Sequence, residues 1–282
     1  RRHLLCHLLV HRNLIMAQVA RTEPTLESQV DQDAVIRLRG LVNRFGSQTV
    51  HDGLDLDVRK GEVLGVVGGS GTGKSVLMRT IIGLRDPQAG TIEVLGRDTR
   101  SLNTAQAKEL RSHWGVLFQD GALFSSLTVA ENIMIPLKEY TDLSPKLMRE
   151  ITKVKVTMVG LPVEAGDKYP GQLSGGMRKR AGLARALALD PAIVFLDEPT
   201  AGLDPIGAAN FDQLIRSLQQ SLGLTVVMVT HDLDSLIAIC DRIAVLIDKK
   251  IVVDTMAELL KIDHPWIQEY FRGPRARAAF GN

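Results

Sequence analysis

Eight consecutive residues, Gly68-Gly69-Ser70-Gly71-Thr72-Gly73-Lys74-Ser75, fit the pattern G-x-x-x-x-G-K-[ST]. Glycines in a sharp turn let successive backbone N–H groups approach an anion where a Cβ would stand in the way. A helix beginning at such a turn adds unpaired N–H groups and the positive end of its dipole. Lys74 then supplies a charge for the β- and γ-phosphates of a nucleotide, and the Ser75 hydroxyl a ligand for Mg²⁺. Further along, the apolar run 193–196 ends in Asp197-Glu198. Ligands of open α/β sheets bind at the C-terminal ends of the strands. Asp197 suits a water-mediated hold on Mg²⁺, and Glu198, one residue on, can aim at a water in line with the γ-phosphate. Without a phosphate loop nearby, the same two acids would read as a solvated strand end.

These groups need elements to position them. The apolar run 63–67 reads as a buried strand leading into the phosphate loop, and 76–82 as the helix leading out. Further strands are expected at 35–39, 54–58, 91–95, 115–118, 192–196, 225–229, 243–246 and 251–253, with a turn at 43–46. From 120 to about 189 strand signals vanish and helical spacing takes over, at 129–140, 144–159 and 175–189. Helices are also expected at 101–111, 208–220 and 234–240. Strands alternating with helices and filled with aliphatic residues imply an α/β fold with a mainly parallel sheet covered on both faces.

Composition narrows the field. The chain has 282 residues and a formal net charge of +2, so no nucleic-acid-binding surface is marked. Its two cysteines, Cys6 and Cys240, follow no pairing pattern, which suits a reducing compartment. No apolar run approaches the ~18 residues a membrane span needs. Residues 1–32 differ in character and are expected to form a loose extension; the basic, apolar start makes a poor signal peptide, and Met16 is a candidate start of translation.

The motif set as a whole resembles the ATP-binding subunit of ABC transporters. It comprises the phosphate loop, Gln119, Leu173-Ser174-Gly175-Gly176-Met177, Asp197-Glu198, Leu203-Asp204 and His231, in one order and at compatible spacings. The resemblance covers about 35–254. It implies a P-loop NTPase (RecA-like) core with an inserted α-helical subdomain and an N-terminal antiparallel β region. The core would take 33–119 and 190–254, the helical subdomain 120–189, and a C-terminal extension 255–282. It further implies ATP and Mg²⁺ as ligands and ATP hydrolysis as the activity.

Roles carried over from the family fall on matching positions. Phe45 is similar to the aromatic residue that stacks on adenine, for which any π-face serves; a core phenylalanine is the plain alternative. Gly68, Gly69, Ser70, Gly71, Thr72, Gly73, Lys74, Ser75 and Val76 would hold the phosphates. Gln119 resembles the glutamine that touches Mg²⁺ and the attacking water, so that Ser75, Gln119 and Asp197 form the metal set. Ser174, Gly175, Gly176 and Met177 resemble the family signature, with Met177 where glutamine is usual, and would close over ATP held by a second copy. Two chains would then sandwich two ATPs head to tail. Asp204 resembles the residue linking the two sites, and His231 the histidine at the γ-phosphate. Lys74, Gln119, Glu198 and His231 make up the catalytic set. Ala201-Gly202, ahead of Leu203-Asp204, departs from the family pattern.

The stretch from Phe118 to Val129, together with Val76, Met177 and Asp248-Lys249-Lys250, resembles one branch: the ATPase of Mla-type phospholipid transporters of Gram-negative bacteria. That resemblance implies a membrane permease subunit, an MCE-domain protein and a STAS-domain protein as partners. It also implies a peripheral place on the cytoplasmic face of the inner membrane. An ABC importer or exporter of another solute is the alternative. Near the C-terminus, Trp266 and Tyr270 stand one helical turn apart. They suit a helix packed on its own domain or an arm crossing to a partner. The basic 272–277 reads as a solvated tail.

Overall fold

The computed structural model describes residues 33–273. The expectations for the N-terminal extension, for a start at Met16 and for most of the basic tail lie outside them. Among the described residues the strands are β1 (Ala34–Phe45), β2 (Gln48–Arg59), β3 (Val63–Gly68), β4 (Ala89–Val94), β5 (Arg97–Asp98), β6 (Trp114–Leu117), β7 (Ile193–Asp197), β8 (Thr225–Val229), β9 (Arg242–Ile247) and β10 (Lys250–Asp254). They form two sheets, ordered β2-β1-β4-β5 and β10-β9-β3-β8-β7-β6.

The first sheet is antiparallel and half-buried, as the alternation in β1 dictates: Ile36 and Leu38 point inward, while Arg37 and Arg39 point outward and pair with Glu93 and Asp57. One expectation is corrected here. Residues 43–45 are not a turn but the end of β1, paired with β2 across a bulged register. The polar Asn43 is wholly buried because its amide meets His51 Nδ1 across the strands at 3.0 Å, so a residue typical of turns is satisfied inside a sheet.

The second sheet is parallel except for β10. All residues of β7 and β8 are buried, as strands covered on both faces require. The helices are α1 (Lys74–Ile81), α2 (Thr104–Arg111), α3 (Val129–Tyr140), α4 (Pro145–Met158), α5 (Gly175–Ala186), α6 (Pro205–Leu222), α7 (Leu233–Ile239), α8 (Met256–Leu259) and α9 (Pro265–Arg272). Between β6 and β7 the regular elements are all helical, α3 to α5 with short 3-10 turns. Capping explains several of their starts: Thr128 and Glu131 cap α3 reciprocally, and the Ser144 and Ser174 hydroxyls accept from the first turns of α4 and α5. Among the described residues no helix is long and apolar enough to cross a membrane.

Parallel register is what assembles a site. Leu117 pairs with Leu196, Asp197 with Val229, and Val66 with Val229. The C-terminal ends of β6, β7, β8 and β3 therefore lie along one edge. On it stand Gln119, Asp197-Glu198, His231 and the phosphate loop.

Candidate active site

The phosphate loop turns between β3 and α1. Gly73, the residue before α1, has φ +96° and supplies no side-chain cap, so the first-turn N–H groups of Lys74, Ser75 and Val76 are left for an anion. A Cβ at Gly73 would lie 2.2 Å from Val50 Cγ1 and 2.6 Å from His51 Nε2. Glycine is therefore demanded both by conformation and by what lies beneath. Thr72 braces the turn, its hydroxyl donating to Gly69 O at 2.9 Å. Ser70 and Gly71 stand exposed at its tip. Lys74 Nζ donates to the carbonyls of Gly68 and Gly69 at 2.8 and 3.1 Å. Burial lowers its pKa, while Glu198 and Asp197 act in the opposite sense and hold its charge.

At the neighbouring strand end Asp197 is buried, and its carboxyl is pushed upward by burial and then by Glu198, against the pull of Arg79 and Lys74. A divalent cation would relieve that excess of negative charge. Among the described residues no three His, Cys, Asp or Glu side chains converge on a metal site. Mg²⁺ needs no such cluster, since it is held by one or two carboxylates together with phosphate oxygens and water. Of the residues expected to hold it, Ser75 stands in the first turn of α1 and Asp197 is buried at the end of β7. Gln119 stands exposed on the 3-10 turn that follows β6.

Glu198 leaves β7 with φ +49°, a left-handed conformation costing on the order of 1 kcal/mol for a non-glycine residue. Its N–H donates to Val229 O at 2.8 Å, and its carbonyl accepts from the buried Lys179 Nζ at 3.1 Å. Its carboxylate meets His231 Nδ1 at 2.8 Å. The imidazole is otherwise open, with a side chain 72% exposed. A cavity of about 840 Å³ opens beside this pair, lined also by Leu203, Trp266 and Tyr270, rather than over the phosphate loop.

A half-buried glutamate facing an open imidazole next to an anion-binding loop can polarise a water beside a phosphate. The family model described as ABC transporter matches residues 51–201. The chain is 40% identical over 252 residues to the probable ribonucleotide transport ATP-binding protein mkl of Mycobacterium leprae, covering 88% of this chain and 72% of that protein. It is 36% identical over 240 residues to the intermembrane phospholipid transport system ATP-binding protein MlaF of Haemophilus influenzae, covering 85% and 90%.

The chain belongs to the ABC transporter family. It is an ATP-binding and ATP-hydrolysing transporter subunit, similar to MlaF. Among solved structures it matches the dimeric post-hydrolysis cassette MJ0796 bound to ADP and Pi, with a TM-score of 0.72 and 29% identity over 78% of this chain and 98% of that one. The α/β P-loop architecture is thus that of an ABC cassette.

Within the ABC cassette the remaining candidates occupy distinct places. Phe45 ends β1 with 46% exposure, so it is not a core residue; the Arg85 guanidinium lies 3.8 Å over its ring. Ser174, Gly175, Gly176 and Met177 form the start of α5, where the Ser174 hydroxyl accepts from Met177 N at 3.2 Å. Met177 packs its side chain toward the core. Asp204 caps α6, accepting from Gly207 N at 2.9 Å. Ala201-Gly202 also finds its reason: Gly202, at φ +75°, turns the chain between the bonds Ala201 N to Glu198 O and Leu203 N to Thr200 O.

Sequence reasoning missed Lys179 and Arg85. Lys179 falls in a basic run on a helix, Arg178-Lys179-Arg180, where a solvated charge is the ordinary reading. Only its burial distinguishes it.

Proposed function

We propose that this chain powers an Mla-type transporter moving phospholipid between the membranes of a Gram-negative envelope. The observation that carries the catalytic part is the Glu198–His231 contact at the strand edge that also bears Lys74. In this reading the adenine stacks on the face of Phe45 that Arg85 leaves free. The N–H groups of residues 69–76 hold the phosphates, and Lys74 swings from its own loop carbonyls to the β- and γ-oxygens. Ser75, Asp197 and Gln119 would hold Mg²⁺, which would supply charge neutralisation to the phosphates. Glu198 accepts the proton of the attacking water, and His231 Nε2 faces the γ-phosphate while Nδ1 stays on Glu198. Ser174 to Met177 close over the ATP of a second copy, and Asp204 joins the two sites.

The division into a cassette at 33–254, with a helical subdomain at 120–189, and an extension at 255–282 is part of the same reading. So is a peripheral seat on the inner membrane. A groove of about 630 Å³ next to the Gln119 turn offers the permease a docking place. Leu84 and Phe124 stand 65% and 56% exposed there, apolar surface that water penalises.

Lipid as cargo is supported by the likeness to MlaF and by the stretch from Phe118 to Val129. Exposing about 30 CH₂ groups to water would cost roughly 24 kcal/mol at about 0.8 per group. An MCE-domain partner would therefore shield the acyl chains while this subunit drives conformational change, with a STAS-domain protein bound to it. Purifying the native complex tests this: a permease, a six-fold MCE protein and co-bound phospholipid are expected. A solute-binding protein without MCE protein or lipid would favour the other reading, a transporter of another solute. The name of the mycobacterial relative, at higher identity than MlaF, speaks for that alternative.

A further inference from the structure

The helix α9 lies against its own domain. Ile267 and Phe271 are fully buried in a cluster with Val67 of β3, Leu236 of α7 and Val245 of β9. His264 starts the helix: its Nδ1 accepts from Trp266 N at 3.2 Å, and its Nε2 meets Asp248 Oδ2 at 3.2 Å. Gln268 and Arg272 donate to the carbonyls of Ile262 and Leu260 at 2.6 and 2.7 Å. The helix is thereby fixed on several sides.

Its remaining face meets the catalytic groups. The rings of Trp266 and Tyr270 stack at 4.7 Å between centroids, and Phe271 meets Tyr270 edge-on at 4.9 Å. Trp266 abuts the phosphate loop, since a Cβ built on Gly69 would lie 3.5 Å from its Nε1. Tyr270 Oη donates to the backbone carbonyl of His231 at 3.0 Å. Burial pushes the phenol up to about 12, with Asp232 and Glu198 acting in the same sense, so the hydroxyl keeps its proton at working pH.

His231 needs such a hold. Its imidazole is exposed and, among the described residues, meets Glu198 alone in the site, so a shift of the backbone would break a 2.8 Å contact. A bond to the carbonyl fixes the residue without competing for the imidazole. Because the Tyr270 ring is already clamped by Trp266 and Phe271, little side-chain freedom is lost in making it. We infer that Tyr270 is a positioning residue for ATP hydrolysis, holding the His231 backbone so that its ring faces Glu198 and the γ-phosphate. This rests on the proposed role of His231.

The test is Tyr270→Phe in the full-length chain, with His231→Ala alongside, measuring kcat, KM for ATP and melting temperature. Phenylalanine keeps both ring contacts and loses only the hydroxyl. A lost neutral hydrogen bond predicts a fall in kcat of about fivefold, with KM unchanged and the melting temperature lower by no more than about 2–4 °C, and a much larger fall in kcat for His231→Ala. Wild-type kcat in Tyr270→Phe beside an inactive His231→Ala would overturn the inference alone. A rise in KM at constant kcat, or a kcat loss accompanied by a melting-temperature loss well beyond that, would also overturn it. Wild-type turnover in both variants would show that the role given to His231 is itself wrong.

Discussion

His51, beneath the phosphate loop, and Asp212, beneath the loop that carries His231, are both enclosed side chains that titrate, yet burial drives them in opposite senses. His51 is wholly buried, with Nδ1 on Asn43 and Nε2 facing the Gly73 backbone short of hydrogen-bond geometry. Burial pushes it down to about 4, so it is a neutral wedge that fixes the loop from below. Asp212 of α6 accepts from the Ser235 hydroxyl at 2.7 Å, and Ser235 in turn reaches Asp232, next to His231. Burial pushes Asp212 up to about 6 and leaves its Oδ1 without a partner. At neutral pH the uncharged form that burial favours is therefore the prevailing one for His51 and the minority one for Asp212.

Four variants probe that contrast. Glu198→Gln should lower turnover about 10³-fold, because a general base contributes 10²–10⁴, while ATP affinity stays near wild type. Single-turnover and equilibrium binding measurements separate the two, and retained turnover would move the base elsewhere. Lys74→Ala strikes the other region and should weaken ATP binding by about 30-fold, the worth of roughly 2 kcal/mol of charge-assisted contact. An affinity unchanged by calorimetry would contradict the phosphate role. Gly73→Ala forces a Cβ onto Val50 and His51 at φ +96°. It should cost about 2–3 kcal/mol in chemical denaturation and impair nucleotide binding with it.

The smallest effect is the most discriminating. His51, with its pKa lowered from 6.5 to about 4, contributes stability that is complete above 6.5 and lost as pH falls toward 4, about 3 kcal/mol in all. Asp212, raised from 3.8 to about 6, does the reverse: its share is complete below 3.8 and lost as pH rises through 6, again about 3 kcal/mol. The two largely offset each other. Asp212→Asn should therefore gain about 2 kcal/mol at pH 8 and lose stability on acidification more steeply than wild type. Parallel melting curves across pH 4–8 for the two proteins would refute the pairing.

Much of the fold was legible because its signals are local. The phosphate loop, the aliphatic strands β7 and β8 and the capped helices each announce themselves within about fifteen residues. What escaped depends on partners distant in sequence. Asn43 looks like a turn residue until His51 is placed opposite it. Lys179 looks solvated until β7 delivers the Glu198 carbonyl, and Arg85 has no visible task until α1 ends beside Phe45. Tyr270 was noticed for its spacing from Trp266, which cannot tell that its hydroxyl reaches a carbonyl 39 residues earlier. A buried polar contact between remote segments leaves no periodicity behind it.

The indole of Trp266 resting on the phosphate loop has an optical consequence. The sequence holds two tryptophans, and the other, Trp114, lies on β6 at the far edge of the sheet. With Trp114 replaced by phenylalanine, the intrinsic emission of the protein would come from a single fluorophore seated against the turn that receives the triphosphate. The polypeptide thus carries its own reporter of nucleotide arrival, readable without any dye.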